Sequence, residues 1–442
     1  MNATPTPRGH AVVIGASLGG LLAARALSES FERLTLIERD ELPAAPDHRR
    51  GTPQDHHTHG LLARGRHALD QLFPGFTEEL VAASAPLADL QADMHWYFDG
   101  RPLAPTRSGL VGVAASRPLI EYVVRSRVAA IPGVTFIDRC PGLDLTTSPD
   151  RSAAMGVRLL GGGEGAGERV IEADLVIDAS GRGSHSPVRL EQWGYGRPRE
   201  DRVHIGCTYM TQMYRREPHH LDGRIGTVCS SYPGQPRGGI ILAQEHDRFI
   251  VTLAGVLGEE APSDRAGMIA YAETYAAPEF AEIIRTAKPL GEPVQMRYPA
   301  SVRRRYEDMA AFPEGFLVVA DALCSFNPLY GQGITVAALE AVLLTDLLAE
   351  SRDDLWRRFF RGAAELVDTP WALVLGGDLR HPQVEGARTA QSQNFAEYMT
   401  RYWSAAHHDA LLGTALLRVT NLLDEPASLL APDLVDRVTA NC

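Results

Sequence analysis

Between His10 and Arg39 the chain reads as a strand, a glycine-rich turn, a helix and a second strand, and no other stretch limits the possible folds as strongly. Residues 11–14 are a short apolar run suited to a buried parallel strand. Gly15-Ala16-Ser17-Leu18-Gly19-Gly20 follows at once, residues 21–27 continue in helix formers, and residues 34–37 read as a strand ending at Glu38. Such a unit, about 30 residues long, is the size of a dinucleotide-binding βαβ. Gly15 permits the sharp turn, and Gly20 lets helix and strand pack closely. Small Ser17 takes the place where a glycine usually admits a pyrophosphate. The helix start offers unpaired N–H groups and a positive dipole end to that anion. Glu38, followed by Arg39, is placed to accept hydrogen bonds from a ribose.

The chain of 442 residues is long enough for two or three structural units. Its formal charge of −12 disfavours nucleic-acid and anionic-membrane partners. Five scattered cysteines lack C-x-x-C spacing and read as free thiols of a reducing compartment. The opening residues carry no apolar signal core and no long apolar run follows, so no secretory signal, no membrane insertion and a cytoplasmic location are expected.

Residues 43–59 are a loop rich in proline, arginine and histidine. His56, His57 and His59 lack an H-E-x-x-H frame, so no metal centre is expected. A polar loop closing over a cofactor is, with Arg49 or Arg50 near its phosphates. Helices are expected over 60–72, 117–129, 261–287, 334–348, 354–367, 394–406 and 410–423, and strands over 134–137, 173–178 and 316–319. Residues 84–115 read as irregular, with a turn at Asp99-Gly100, and 161–168 as a glycine-rich hairpin tip without chemistry. Residues 204–214 and 240–253 alternate as strands of a separate sheet walling a pocket. Tyr209, Met210 and Tyr214, with Phe326, are the candidate pocket lining, and Arg303 to Arg305 a solvated face. The leucines at 411, 412, 416, 417 and 422 form a stripe expected to pack on the body.

Two further patches carry chemistry. A buried strand ends at Asp178 and breaks into Ala-Ser-Gly181-Arg-Gly-Ser184, small residues that allow a ligand close to the backbone. Another precedes Asp321, suited to a polyol hydroxyl, and Pro328, Gly331 and Gly333, which open the helix starting near Ile334 to a planar ligand.

With the first patch, these resemble the single-component flavoprotein monooxygenases of the para-hydroxybenzoate hydroxylase fold. The resemblance implies an α/β architecture: a Rossmann-like FAD-binding domain of the glutathione-reductase type interleaved with a mixed β-sheet substrate domain, plus a helical C-terminal segment. The expected divisions are 8–199 (with lid and loop insertions over 60–115), 200–300, 301–350 and 351–442. It further implies FAD held by Gly15, Ser17, Gly20, Glu38 and Arg39 at the ADP half, by Asp178 and Gly181 in the Asp-x-x-Gly-x-x-Ser patch, by Asp321 at the ribityl chain, and by Arg117, Pro328, Gly331, Gly333 and Ile334 near the ring. Ala320 stands where the related motif has glycine. The stretches 49–59 and 321–333 look most like actinobacterial polyether and other secondary-metabolite alkene epoxidases, more distantly like squalene epoxidase.

The expected reaction is insertion of one atom of O₂ into an apolar secondary metabolite, a polyketide or terpenoid, by alkene epoxidation, as in antibiotic biosynthesis. The flavin carries the hard step, so no side-chain triad is needed. No second glycine-rich βαβ is present, so NADPH binds transiently or a partner flavin reductase supplies electrons. The substrate arrives free or on an acyl carrier protein. Hydroxylation of a phenolic ring would call for a base, and none is evident. A dehydrogenase of the geranylgeranyl-reductase type remains an alternative, and a flavin halogenase is disfavoured by the missing Trp-x-Trp-x-Ile-Pro stretch.

Overall fold

The computed structural model describes residues 9–140, 143–159 and 168–441; the glycine-rich stretch at 161–167 lies outside them. The βαβ unit consists of strand His10–Ile14, helix Leu18–Leu27 and strand Arg33–Ile37. It forms the centre of a five-stranded parallel sheet in the order Phe316–Val318, Leu175–Asp178, His10–Ile14, Arg33–Ile37, Val134–Ile137. The first four are almost wholly buried, as a sheet covered on both faces requires. Because all five strands run the same way, their carboxyl ends share one edge. Gly15, Glu38, the 178–186 loop and Asp321 therefore meet there although up to about 300 residues separate them, the ligand position of open α/β sheets.

A second, eight-stranded sheet runs Cys324–Ser325, Val294–Arg305, Arg199–Arg215, Arg248–Gly255, Arg237–Gln244, Gly226–Cys229, Met94–Phe98, Arg101–Pro102. It is mixed, since Met94–Phe98 runs parallel to Gly226–Cys229 while the other neighbours are antiparallel. The expectation of irregular chain over 84–115 is corrected here. Trp96, Tyr97 and Phe98 form a strand of the substrate sheet, and Asp99-Gly100 is its hairpin turn, both residues at positive φ. The run 240–253 is two strands joined at His246-Asp247, also at positive φ. The helical expectation for 261–287 resolves into Arg265–Ala272 and Glu279–Thr286.

The Arg303 to Arg305 run is not a solvated face. Arg303 is 2% exposed and ion-paired with Asp368 (2.6 Å) and Glu307 (3.1 Å), and Arg304 pairs with Glu200 (3.0 Å). Through Arg303 and Asp368 the strand ties the second sheet to helix Leu355–Asp378, and the Arg303 and Arg304 guanidinium groups are buried because each has an acidic partner.

That helix extends well beyond 367, through Pro370 and the pair Gly376-Gly377. Helices Ala390–Ala406 and Ala410–Thr420 follow and lie against the outer strands of the second sheet. Arg380 pairs with Asp99 at 2.7 Å, His407 bonds the Pro102 carbonyl at 2.8 Å, and Trp403 stacks on Phe98 at 6.3 Å. The leucine stripe packs inward at Leu412, Leu416, Leu417 and Leu422, and Leu411 is exposed. Among the described residues, no helix is long and apolar enough to cross a membrane.

Candidate active site

At the shared edge of the parallel sheet, the glycine turn is shaped by contacts only glycine allows. Gly15 has φ +97°, and a Cβ there would lie 2.6 Å from the Ala179 carbonyl oxygen. A Cβ on Gly20 would lie 1.8 Å from the Gly15 oxygen, so helix and turn could not close. Ser17 is the N-cap of the helix, but its hydroxyl does not cap. It donates instead to Glu121 (2.7 Å) and accepts from Arg117 Nη2 (2.7 Å). The buried Glu38 carboxylate accepts from the backbone N–H of Ala16 (2.9 Å) and Arg39 (2.8 Å).

The arginine that enters this cleft is Arg49. Its guanidinium pairs with Glu38 (3.2 Å), Asp40 (3.1 Å) and Glu121 (3.1 Å). Burial works against its charge, and Glu121, Glu38 and Asp40 outweigh it, leaving the pKa raised. Arg50, the other arginine considered from sequence, is exposed, and Arg39 is exposed with its guanidinium on the Gly51 carbonyl (3.3 Å). The chain Glu38–Arg49–Glu121–Arg117–Ser17 is thus one connected network, and sequence reading missed Glu121, one helical turn after Arg117.

Asp178 is placed beside the cleft but is occupied. Its carboxylate accepts from Ser180 N (2.9 Å), Ser180 Oγ (2.5 Å), Ser184 Oγ (2.5 Å) and Ser186 Oγ. The Asp-x-x-Gly-x-x-Ser pattern therefore shapes its own loop, with Gly181 at φ +82° and open space beside it.

Asp321 differs, having no hydrogen bond among the described residues. Burial raises its carboxyl above the usual range against the pull of Arg117 and Arg182. Ala320 adopts φ +54°, so the turn keeps a left-handed backbone without glycine, at a cost of about 1–2 kcal/mol. Its N–H donates to Glu340 Oε2 (2.7 Å). Burial pushes Glu340 up to about 8, opposed by that hydrogen bond and reinforced by Asp321. Pro328 opens a short turn, Gly331 takes φ +66°, and Gly333–Glu350 begins with Gly333 and buried Ile334.

The residues present fit a dinucleotide. Among the described residues, Arg49 Nη2, Arg117 Nε, Gln332 Oε1 and Thr335 Oγ1 are buried without a hydrogen-bond partner, the helix start at Ser17 is uncapped by a side chain, and Asp321 accepts no hydrogen bond.

The turn at residues 327–332 is also the floor of a cavity of about 1900 Å³. Trp96, Phe98 and Ile240 wall it from the second sheet, and Phe395, Tyr398 and Trp403 from the C-terminal helices. The four residues assigned to the pocket from sequence do not line it. Met210 and Tyr214 point into the core shared with Met268 and Phe280. Tyr209 packs on His57 (5.4 Å), and Phe326 on Trp371 (6.5 Å). The strand over 204–214 is present, but it does not alternate, since residues 207–211 are buried on both faces, and the cavity lies against strands farther across the sheet.

His56, His57 and His59 diverge. His57 Nδ1 meets Thr211 (2.8 Å), and burial lowers its pKa to about 4. His48, Asp55 and His56 come within 4.8 Å of one another, and Asp55 also takes bonds from Thr52 and the Arg49 backbone, tying down the loop. The single lysine of the chain, Lys288, is not part of the cavity wall.

No family model matches the chain. The protein Rv3254 of Mycobacterium tuberculosis is 34% identical over 98% of this chain and 94% of its own length. Kynurenine 3-monooxygenase of Salinispora arenicola is 26% identical over 78% and 74%. Among solved structures, a flavoprotein/dehydrogenase from Cytophaga hutchinsonii superposes with TM-score 0.67 at 16% identity, covering 98% of both chains. The flavin-dependent brominase Bmp2 gives 0.66 at 14%, also over 98% of both. HpxO of Klebsiella pneumoniae, complexed with FAD and uric acid, gives 0.59 at 18% over 100% and 99%. The fold is that of flavin-dependent monooxygenases and halogenases, and by sequence the chain belongs to the family of the mycobacterial protein Rv3254.

Proposed function

We propose that this chain is an FAD-dependent monooxygenase that places one atom of O₂ into a large, mainly apolar small molecule, with NADPH or a partner flavin reductase as the electron source. One observation supports the reading: the turn at 327–332 floors the cavity and leads into Gly333, where a Cβ would lie 3.8 Å from Asp321 Oδ1, the proposed ribityl contact. Drug-sized ligand sites occupy about 300–1,000 Å³, so this cavity suits a bulkier skeleton.

When bound, FAD supplies the oxygen-transfer chemistry. The chain's own part is to hold and to exclude. The N–H groups at Ser17 and Leu18 and the unpartnered Arg49 and Arg117 atoms would receive the pyrophosphate, Glu38 the ribose and Asp321 the ribityl hydroxyls. The start of Gly333–Glu350 would favour negative charge on a reduced ring. Aromatic and aliphatic walls keep water from the reacting atoms.

The apolar lining supports alkene epoxidation of a polyketide or terpenoid. A second reading, hydroxylation of a phenol or enol, is favoured by a buried carboxyl, Asp378, at the cavity wall. Halogenation through a catalytic lysine is disfavoured because Lys288, the one lysine of the chain, does not line the cavity. Purified protein should carry FAD, and turnover under ¹⁸O₂ with candidate polyenes and polycyclic phenols should place one labelled oxygen in the product. Colourless protein that takes up no flavin in excess FAD, or product without label, would overturn the proposal.

A further inference from the structure

Asp378 occupies the last turn of helix Leu355–Asp378, 3% exposed, where the helix dipole is negative. Asn327 Nδ2 (3.0 Å) and Tyr330 Oη (3.1 Å) both donate to its Oδ1, and Oδ2 is buried with no partner. A buried carboxyl with one oxygen unmet is costly, and the dipole adds to the cost. The fold maintains this arrangement: Gly377 has no side chain, and a Cβ there would fall 1.9 Å from Tyr330 Oη. Asp378, Tyr330 and Asn327 all line the cavity, and the last two belong to its floor.

We infer that Asp378 is a proton acceptor for a hydroxyl on an sp² carbon of the substrate, a phenol or enol on a large apolar skeleton, bound in this cavity. The inference rests on the monooxygenase reading and deepens it. In the step, the substrate O–H bond breaks, its proton bonds to Oδ2, and the electron pair stays on the substrate oxygen. Nothing is oxidised or reduced. One buried negative charge moves from carboxylate to substrate, so no extra charge is desolvated, and the resulting anion is the electron-rich form that accepts an electrophilic oxygen.

Burial pushes Asp378 up to about 7 despite both hydrogen bonds, within reach of an acidic phenol. The ionisable groups around it are Tyr330, held protonated by burial and by Asp378, Arg380, already paired with Asp99, His381, whose pKa burial lowers, and Cys207, whose thiol burial raises. None competes for the substrate proton near neutrality.

Alizarin, an apolar dihydroxyanthraquinone whose anion absorbs beyond the flavin band, is the probe. Added to the flavin-loaded protein between pH 7 and 8, where the Asp378 carboxylate is free to accept a proton, the dye bound in the cavity should show the anion band. Asp378→Asn keeps the acceptor for Asn327 and Tyr330 and should bind the dye in its neutral form. Tyr330→Phe should retain the anion band, since losing a donor makes the carboxylate more basic. Dye bound neutral by the wild type, dye not bound by it, or an unchanged anion band in Asp378→Asn each overturns the inference. Should Asp378→Asn fail to fold, the wild-type titration decides alone. Flavin content of the same samples reports separately on the monooxygenase reading.

Discussion

Asp321 is a carboxyl with two arginines nearby and, among the described residues, no donor bonded to it, which suits the proposed contact with the ribityl chain. Replacing it by alanine removes a polar anchor of about 1.5–3 kcal/mol, so FAD should bind roughly tenfold to a hundredfold more weakly. Flavin retained on dialysis of Asp321→Ala is the check, and full retention would exclude the assigned contact. Glu340 lies behind it, and its contribution to stability runs with pH in the opposite sense to that of an ion-paired acid. Its folded pKa of about 8 exceeds the usual 4.5, so between these values the folded state binds more protons than the unfolded one. Stability from this group is therefore present at low pH and lost as pH rises toward 8. Glu340→Gln keeps an acceptor for Ala320 N–H and removes the titration. The gap in melting temperature between variant and wild type should widen in the variant's favour from about pH 6 to about pH 8. A constant gap would mean that Glu340 is ionised in the fold.

Glycine acts differently in two helices, and the contrast sets the next prediction. A Cβ at Gly20 meets the Gly15 backbone oxygen at 1.8 Å, which cannot move without opening the βαβ unit. Gly20→Ala should lose about 1–3 kcal/mol or more, with its flavin. A Cβ at Gly377 meets the far end of the Tyr330 side chain, which can swing away at the loss of its hydrogen bond to Asp378, about 0.5–1.5 kcal/mol, while alanine regains about 0.8–1 kcal/mol of helix propensity. Gly377→Ala should stay within about 1 kcal/mol of wild type in urea unfolding. The same contrast explains what the sequence made legible. The parallel strands and the glycine turn were readable because each follows local rules: an apolar run, a turn residue, a cap. The helix ending at Asp378 was not, because Pro370 and Gly376-Gly377 read as breakers. Only the Tyr330 ring, brought in from another part of the chain, explains the glycine at 377. Asp378 thus fell beyond the expected end of its helix at 367, and a buried carboxyl beside the cavity went unnoticed. The Met94–Phe98 strand was missed for a similar reason, since its partner Gly226–Cys229 lies more than a hundred residues on.

At the scale of the molecule, the cavity is bounded by segments about 300 residues apart in the chain. The sheet wall comes from Met94–Phe98, and the opposite wall from Ala390–Ala406. Between helix Leu355–Asp378 and that wall, residues 385–394 are exposed, and 387–389 and 391–394 line the cavity, which makes this stretch its rim. What fixes the rim is Arg388, whose guanidinium donates to the carbonyls of Leu379 (3.0 Å), His381 (3.0 Å) and Val384 (2.8 Å). Such charge-assisted bonds are worth about 1.5–3 kcal/mol where buried and less in solvent, so their loss should be felt locally. In Arg388→Ala, amides of 384–394 should exchange about tenfold faster while those of the parallel sheet keep their protection, because the rim shares few core contacts with it. A ligand that fills the cavity should restore slow exchange at the rim in wild type and variant alike, since it bridges both walls. Uniformly faster exchange across the chain would instead mean that the C-terminal helices and the dinucleotide sheet unfold as one unit. Rim exchange indifferent to a bound ligand would mean that these residues are not the way in.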